Sequence, residues 1–195
     1  MSKALALGLA RERLGGLVDR GTERILDWDE ALLETLASSR LLRRIDLLLV
    51  VGTYIGYGYL WLALALAMIV FGTTQDHRNL LVGQGVMAVT LGLVHAVKAW
   101  GGRPRPAFRR KGFHHQFLTS SSFPSSHAAT SFAMAGVVVQ LYPWWDGATV
   151  FVVAGLIGLS RVYLREHFPL DVLAGALLGL GVALGLTPWF ARLVS

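Results

Sequence analysis

The stretch LLLVVGTYIGYGYLWLALALAMIVFG, residues 47–72, contains no charged side chain. One bilayer crossing takes roughly 20 apolar residues in an α-helix, so this run is long enough to span. A helix apolar on every side needs a large core or lipid around it. The centre of the run, GTYIGYGYLW, carries three glycines and three tyrosines, so the helix is expected to break there.

Further apolar runs follow the same pattern. A second goes from Leu80 to Val97 and a third from Pro124 to Leu141. The fourth runs from Ala148 to Ser160, and the fifth from Pro169 to Phe190. The predicted fold is all-α: a polytopic transmembrane helical bundle of five spans over residues 46–195, with a sixth helix open near the N-terminus. Composition agrees. The 195 residues bound one compact domain. They are 54% hydrophobic and only 15% charged, where soluble domains carry about 25% charge. Mean hydropathy is +0.53.

The net charge is +6 and the sequence pI is about 10.2. On a soluble chain that would suggest nucleic acid. On a membrane chain it suggests anionic head groups or phosphates, and no nucleic-acid partner is expected. The absence of cysteine excludes disulfides, thiolate metal sites and cysteine nucleophiles.

Residues 1–45 are charged and amphipathic. The first of them, MSKALALGLARERLGG, do not read as a signal peptide, because Arg11 and Arg13 interrupt a short apolar stretch. In ERILDWDEALLETLASS, Ile25, Trp28, Leu32 and Leu36 recur at helical spacing. An interfacial helix lying on the bilayer and a helix packed on the spans are both open.

Alternating helix direction brings distant segments to one membrane surface. The second span ends at Lys98, and the basic loop 101–122 follows on that face. The third span leaves from there, the fourth returns to SRVYLREH, and the fifth departs. Lys98, Arg105, His127, Arg161, His167 and Asp171 therefore meet.

These residue types suit a phosphate. Arginine forks bind its oxygens in pairs, and lysine adds a point charge. Ser125 and Ser126 open a helix behind Pro124, where free N–H groups and the dipole favour an anion. His167 and Asp171 stand four residues apart, with Pro169 between them in the first helical turn. The carboxylate can hold one imidazole nitrogen protonated and leave the other free to attack. His127, on another helix start, is placed to protonate the leaving oxygen. Together these roles describe phosphoryl transfer through a phosphohistidine, with cations neutralising charge and no metal or cofactor required.

The pattern resembles the type 2 phosphatidic acid phosphatase family, which also includes the vanadium haloperoxidases. That family's motif has three parts: Lys, six residues, Arg-Pro; then Pro-Ser-Gly-His; then Ser-Arg, five residues, His, three residues, Asp. Lys98, Arg105 and Pro106 match the first part, and Pro124, Ser125 and His127 the second. Ser160, Arg161, His167 and Asp171 match the third at full spacing. Ser126 stands where the family has glycine, and a left-handed backbone there would strain serine. The resemblance implies His167 as nucleophile, Asp171 as its partner and His127 as general acid. It implies phosphate binding by Lys98, Arg105, Ser125, Ser126 and Arg161. Residues 1–45 match none of it.

Other residues have plainer readings. His95, one turn before Lys98, is expected to be packed or hydrogen-bonded, with a functional role open because ionisable residues inside a membrane are often functional. Arg103, outside the motif, has two readings, help in binding substrate and a surface role, of which the surface role is expected; RRKGFHH (Arg109–His115) is expected to face solvent or head groups. Trp144 and Trp145 read as interfacial anchors on a short turn. GYGY is either a kink lining a lipid groove or a packing feature.

The function that follows is an integral membrane phosphatase acting on a lipid phosphate or diphosphate. Candidates are a polyprenyl diphosphate such as undecaprenyl diphosphate, phosphatidylglycerophosphate, phosphatidic acid and a lipid A phosphate. A vanadate-dependent haloperoxidase and a non-enzymatic lipid-binding or transport module are the alternatives. The small size resembles bacterial members, which implies an inner-membrane protein. Arg40, Arg43, Arg44, Arg109, Arg110 and Lys111 crowd the motif face, against Arg78 and Arg192 opposite. By the positive-inside rule that face is cytoplasmic, whereas the resemblance to bacterial members implies a site outside the inner membrane; the face is left open, with the charge distribution favouring the first.

Overall fold

A computed structural model describes residues 21–107 and 121–195, and within them every regular element is a helix. Residues 1–20 and the Arg109–His115 stretch lie outside the described residues.

Helix α1 covers 21–37, and α2 is the short Arg40–Arg44. The first span joins α3 (Asp46–Tyr54), a π-helical turn (Ile55–Tyr59) and α4 (Leu60–Phe71). The expected break is this π turn, with Gly58 at φ 98°, which a side chain would resist. Helix α5 (Thr74–Trp100) starts earlier than its apolar run because Thr73 and Asp76 form a capping box. Helix α6 is Ser126–Leu141, α7 is Trp144–Tyr163 and α8 is Pro169–Leu193. Trp144 and Trp145 belong to the first turn of α7 rather than to the loop, and both are exposed.

Four units are long and apolar enough to cross a membrane: Asp46–Phe71, α5, α7 and α8. Helix α6 has 16 residues, a rise of about 24 Å, somewhat short of the hydrocarbon thickness. It is nevertheless the centre of the bundle. Val86, Ala133, Val137 and Ala183 form a core cluster from α5, α6 and α8. Along α8, Gly175, Gly179, Ala183 and Thr187 are buried at every fourth position, one helical stripe. A Cβ on Gly175 or Gly179 would run into the carbonyl oxygen of Ser125 or Ala129, so these glycines let two backbones touch.

The outer faces carry the opposite signature. Leu62, Leu66, Ile69, Leu81, Leu173, Leu177 and Leu184 are exposed on the long helices, an apolar belt suited to lipid chains. Helix α1 packs through buried Asp29 and Leu33, while Ile25, Leu26 and Trp28 remain exposed. Its buried face is thus turned from the Ile25–Trp28 stripe, because an ion pair fixes it.

Candidate active site

Three chain segments converge at the end of the bundle where α5 and α7 stop and α6 and α8 begin. Lys98, in the last turn of α5, is buried and donates from Nζ to the Ser121 carbonyl at 3.0 Å. The following loop is strapped down: the Ser122 amide donates to the Arg103 carbonyl at 2.9 Å, and Ser122 Oγ to the Pro104 carbonyl at 3.1 Å. That strap aims Arg105 inward. Its Nη1 donates to the Glu166 carbonyl at 3.0 Å and lies 3.2 Å from His167 Nε2. Burial holds the Arg105 guanidinium below its ordinary pKa, yet a guanidinium starts so high that it stays charged.

Arg161, near the end of α7, is 2% exposed. It pairs with Glu166, and its Nη1 donates to Thr53 Oγ1 at 3.0 Å. Ser160 Oγ also donates to Thr53 Oγ1, at 3.2 Å, and to the Ile157 carbonyl at 2.7 Å. Beyond α7 the chain reverses tightly. The amides of Glu166 and His167 both donate to the Arg161 carbonyl, and Arg165 sits at φ 59°.

This reversal delivers His167 beside the first turn of α8. Its Nδ1 is 3.6 Å from Asp171 Oδ2, beyond an ordinary hydrogen bond and within ion-pair reach. Asp171 Oδ2 accepts from the Phe168 amide at 3.0 Å. Burial pushes the His167 imidazole down to about 4, against the pull of Asp171, so the ring is neutral at pH 7. A neutral ring keeps one lone pair, and the neighbours favour it on Nε2, since the donor Nη1 of Arg105 faces Nε2 and the Asp171 carboxylate faces Nδ1.

His127, in the first turn of α6, is held from two sides. Tyr57 meets its ring edge-on, and the backbone at Gly56 is so close that an added Cβ would lie 2.9 Å from His127 Cδ2. Nε2 of His127 is buried and has no hydrogen-bond partner among the described residues. It lines a cavity of about 500 Å³ together with Lys98, Arg105, Ser126, Arg161 and His167. The cavity continues between α4 and α5 along Trp61, Leu62, Ala65, Met87 and Leu91. One end is cationic and the other apolar.

Six of the eight residues chosen from sequence line this cationic end, and Asp171 stands behind His167, out of the cavity. Ser125 is the other exception. Its Oγ accepts from the Ala128 amide at 3.4 Å as the N-cap of α6, and its amide donates to the Asp171 carbonyl at 2.9 Å. It fastens α6 to α8 rather than facing the cavity. Ser126, where glycine was noted as the usual residue, is the first residue of α6 and has no left-handed backbone to strain it.

Two expectations are corrected. His95 is not packed and has no hydrogen bond among the described residues; it is exposed on the cavity wall, on the same stripe of α5 as Leu91 and Lys98. Arg103 is not a free surface residue, because its guanidinium bridges Asp29 and Asp171. The sequence reading also missed Thr53, Tyr57 and Glu166. Only Glu166, beside the motif histidine, carried a local signal. Among the described residues no group of three His, Cys, Asp or Glu side chains converges as a bound metal would need.

The sequence model of the PAP2 superfamily matches residues 80–195, which includes every motif residue above. An undecaprenyl-diphosphatase of Sulfolobus acidocaldarius is 32% identical over 124 residues, covering 64% of this chain and 60% of that protein. The match thus spans about 60% of the relative's length. Among solved structures, a PAP2-type phosphatidylglycerolphosphate phosphatase from Bacillus subtilis superposes with a TM-score of 0.66 at 25% identity, covering 100% of this chain and 98% of that one. Aquifex aeolicus LpxE superposes with a TM-score of 0.62 at 30% identity, covering 78% of this chain and 90% of that one.

Proposed function

The chain belongs to the PAP2 superfamily, and from that premise we propose that it is an integral membrane phosphatase that removes phosphate from a lipid phosphate or diphosphate. The observation that carries this reading is the two-ended cavity. Its cationic end suits a phosphate and its apolar end suits a chain that enters from the bilayer.

In the proposed reaction the phosphate lies among Lys98, Arg105, Arg161 and the α6 N-terminus at Ser126. Nε2 of His167 attacks phosphorus as the bond to the lipid oxygen breaks, giving a phosphohistidine. His127 gives its proton to the departing oxygen, and the substrate's own negative charge favours the imidazolium needed for that step. A water molecule, losing its proton to His127, then attacks the phosphohistidine and inorganic phosphate leaves. With a diphosphate the departing group is the lipid monophosphate. The cations act where charge builds up, without rearranging.

Relatives named for undecaprenyl diphosphate and phosphatidylglycerophosphate support those two lipids as the first substrates to test. In this reading α6 also crosses, bringing the spans to five, and is shielded from lipid by its neighbours. The site faces the cytoplasm from a bacterial inner membrane, as Arg40, Arg43 and Arg44 beside the first span favour. Labelling a cysteine placed in loop 101–122 of intact and opened cells tests that orientation.

The main test is phosphate release by detergent-purified protein from a lipid panel, with EDTA present. Wild type should act on at least one lipid and His167→Ala on none. Equal release by both proteins, or none by wild type on any lipid, overturns the reading.

A further inference from the structure

Arg103 lies outside the three-part motif, and α1 lies outside the superfamily match, yet the two meet behind the proposed nucleophile. Arg103 Nη2 donates to Asp29 Oδ2 at 2.6 Å, and Nη1 donates to Asp171 Oδ1 at 2.8 Å. Both carboxylate side chains are 0% exposed and the Arg103 side chain only 19%. The guanidinium carbon sits 4.0 Å above the centre of the Phe168 ring, which fixes the plane of the fork. Asp29 Oδ1 accepts from the Leu170 amide at 2.9 Å, in the first turn of α8.

The contacts therefore divide the Asp171 carboxylate by oxygen. Oδ1 is taken by Arg103. Oδ2 is left to the Phe168 amide and the His167 imidazole. A second clamp from α1, the pair between Glu34 and Arg165, grips the same reversal that carries His167.

We propose that Arg103 and Asp29 are positioning residues for phosphoryl transfer: Asp29 on α1 orients Arg103, and Arg103 orients the Asp171 carboxylate that holds His167. The N-terminal helix is then a working part of the catalytic apparatus rather than only a membrane-surface segment. This rests on the assignment of His167 as nucleophile under the proposed function. A fixed, half-buried cation is well placed for the task. It keeps one carboxylate rotamer, and it offsets part of the negative charge that would otherwise draw a proton onto the imidazole.

The sign of the effect follows from the charges around His167. Asp171 on α8 and Glu166 in the reversal favour the imidazolium. Arg161 on α7, Arg105 in the preceding loop and any proton on His127 of α6 oppose it. Removing Arg103 unmasks Asp171, so the protonated and unreactive form of His167 persists to higher pH.

The test uses full-length protein and phosphate release from the best lipid of the panel. Wild type is compared with Arg103→Ala, Arg103→Lys, Asp29→Asn and the double variant Asp29→Asn/Arg103→Ala, with His167→Ala as control. Arg103→Ala should lower kcat about tenfold or more with KM within about twofold. It should also move the acid limb of the kcat/KM profile up by about half a pH unit or more. Arg103→Lys, which keeps the cation, should return the limb to the wild-type position. Asp29→Asn should lower kcat several-fold, and the double variant should be no worse than Arg103→Ala alone.

Because stability itself falls toward acid pH, each rate is divided by the folded fraction measured by circular dichroism at the same pH, so that partial unfolding does not move the limb. An unmoved limb, or additive effects of the two substitutions, overturns the proposal. If Arg103→Ala does not fold, Asp29→Asn decides: wild-type kcat in that variant overturns it. Inactivity of wild type on every lipid counts instead against the function on which the proposal rests, and removes it with that function.

Discussion

The ring of Tyr57 stands edge-on to the imidazole of His127, with 4.9 Å between centroids and 85° between planes. Tyr57 comes from the π turn of the first span, and His127 from the first turn of α6. The guanidinium carbon of Arg161 lies 5.6 Å from the same ring, within range of a cation–π contact. One aromatic side chain thus touches both a proposed acid and a proposed phosphate ligand.

The first prediction concerns that contact. Tyr57→Leu removes the flat edge that fixes the His127 plane, and kcat should fall about tenfold, since small errors in the placement of an acid are costly. Tyr57→Phe keeps the ring and should retain most of kcat. Steady-state kinetics on the three proteins checks this, and equal losses in both variants would assign the effect to the hydroxyl instead.

The pH dependence follows from His167. Its pKa is pushed from 6.5 to about 4 by burial, so between those values the native ring is neutral while the unfolded ring is protonated. The unfolded state then binds more protons, and stability rises with pH through the window. The contribution is complete above about pH 6.5 and is lost as pH falls toward 4, by about 3 kcal/mol at most. Thermal unfolding in detergent at pH 4.5 and 7 should show a larger drop for wild type than for His167→Gln, which cannot titrate.

The His167–Asp171 pair was legible in the sequence because both residues lie on one short segment. Only three residues separate them, so the entry of the chain into α8 brings them together locally. The convergence of Lys98, His127 and Arg161 was legible for a different reason: spans alternate direction, so connectivity alone brings their ends to one face. Arg103 and Asp29 follow neither rule. They are 74 positions apart and meet because α1 folds back over the bundle, which no local pattern encodes. The placement of Ser125 was not legible for a related reason. A serine at a helix start can face an anion or cap its own helix, and the packing of α6 on α8 puts the Ser125 side chain at the N-cap. At the π turn, the glycines marked a break, but the placement of Tyr57 over His127 depends on a helix about 70 residues later.

The contact between α6 and α8 gives a stability prediction. Gly179 has no room for a Cβ against the Ala129 carbonyl. Gly179→Val forces the two helices apart and should destabilise the bundle by at least about 2 kcal/mol. Gly181, on the same helix, has nothing within 4 Å of an added Cβ, so Gly181→Ala should leave the melting temperature nearly unchanged. Thermal unfolding of the two variants beside wild type would show whether the small-residue stripe holds α8 in place.

The apolar end of the cavity leads to the last prediction. Ala65 on α4 lines it, with Trp61 and Leu62 nearby and Met87 and Leu91 across from α5. If a lipid chain lies there, its length beyond the phosphate is read by these side chains and not by the cations. Ala65→Trp fills that end and leaves the cationic residues in place. It should raise KM for a long-chain lipid phosphate more than for a short-chain one, shifting the ratio of their kcat/KM values by about tenfold, the cost of roughly 1.4 kcal/mol of lost chain burial. Measuring that ratio in wild type and variant separates the two ends of the cavity, because damage at the phosphate end lowers both values together and leaves the ratio where it was. An unchanged ratio would place the chain outside the α4–α5 groove.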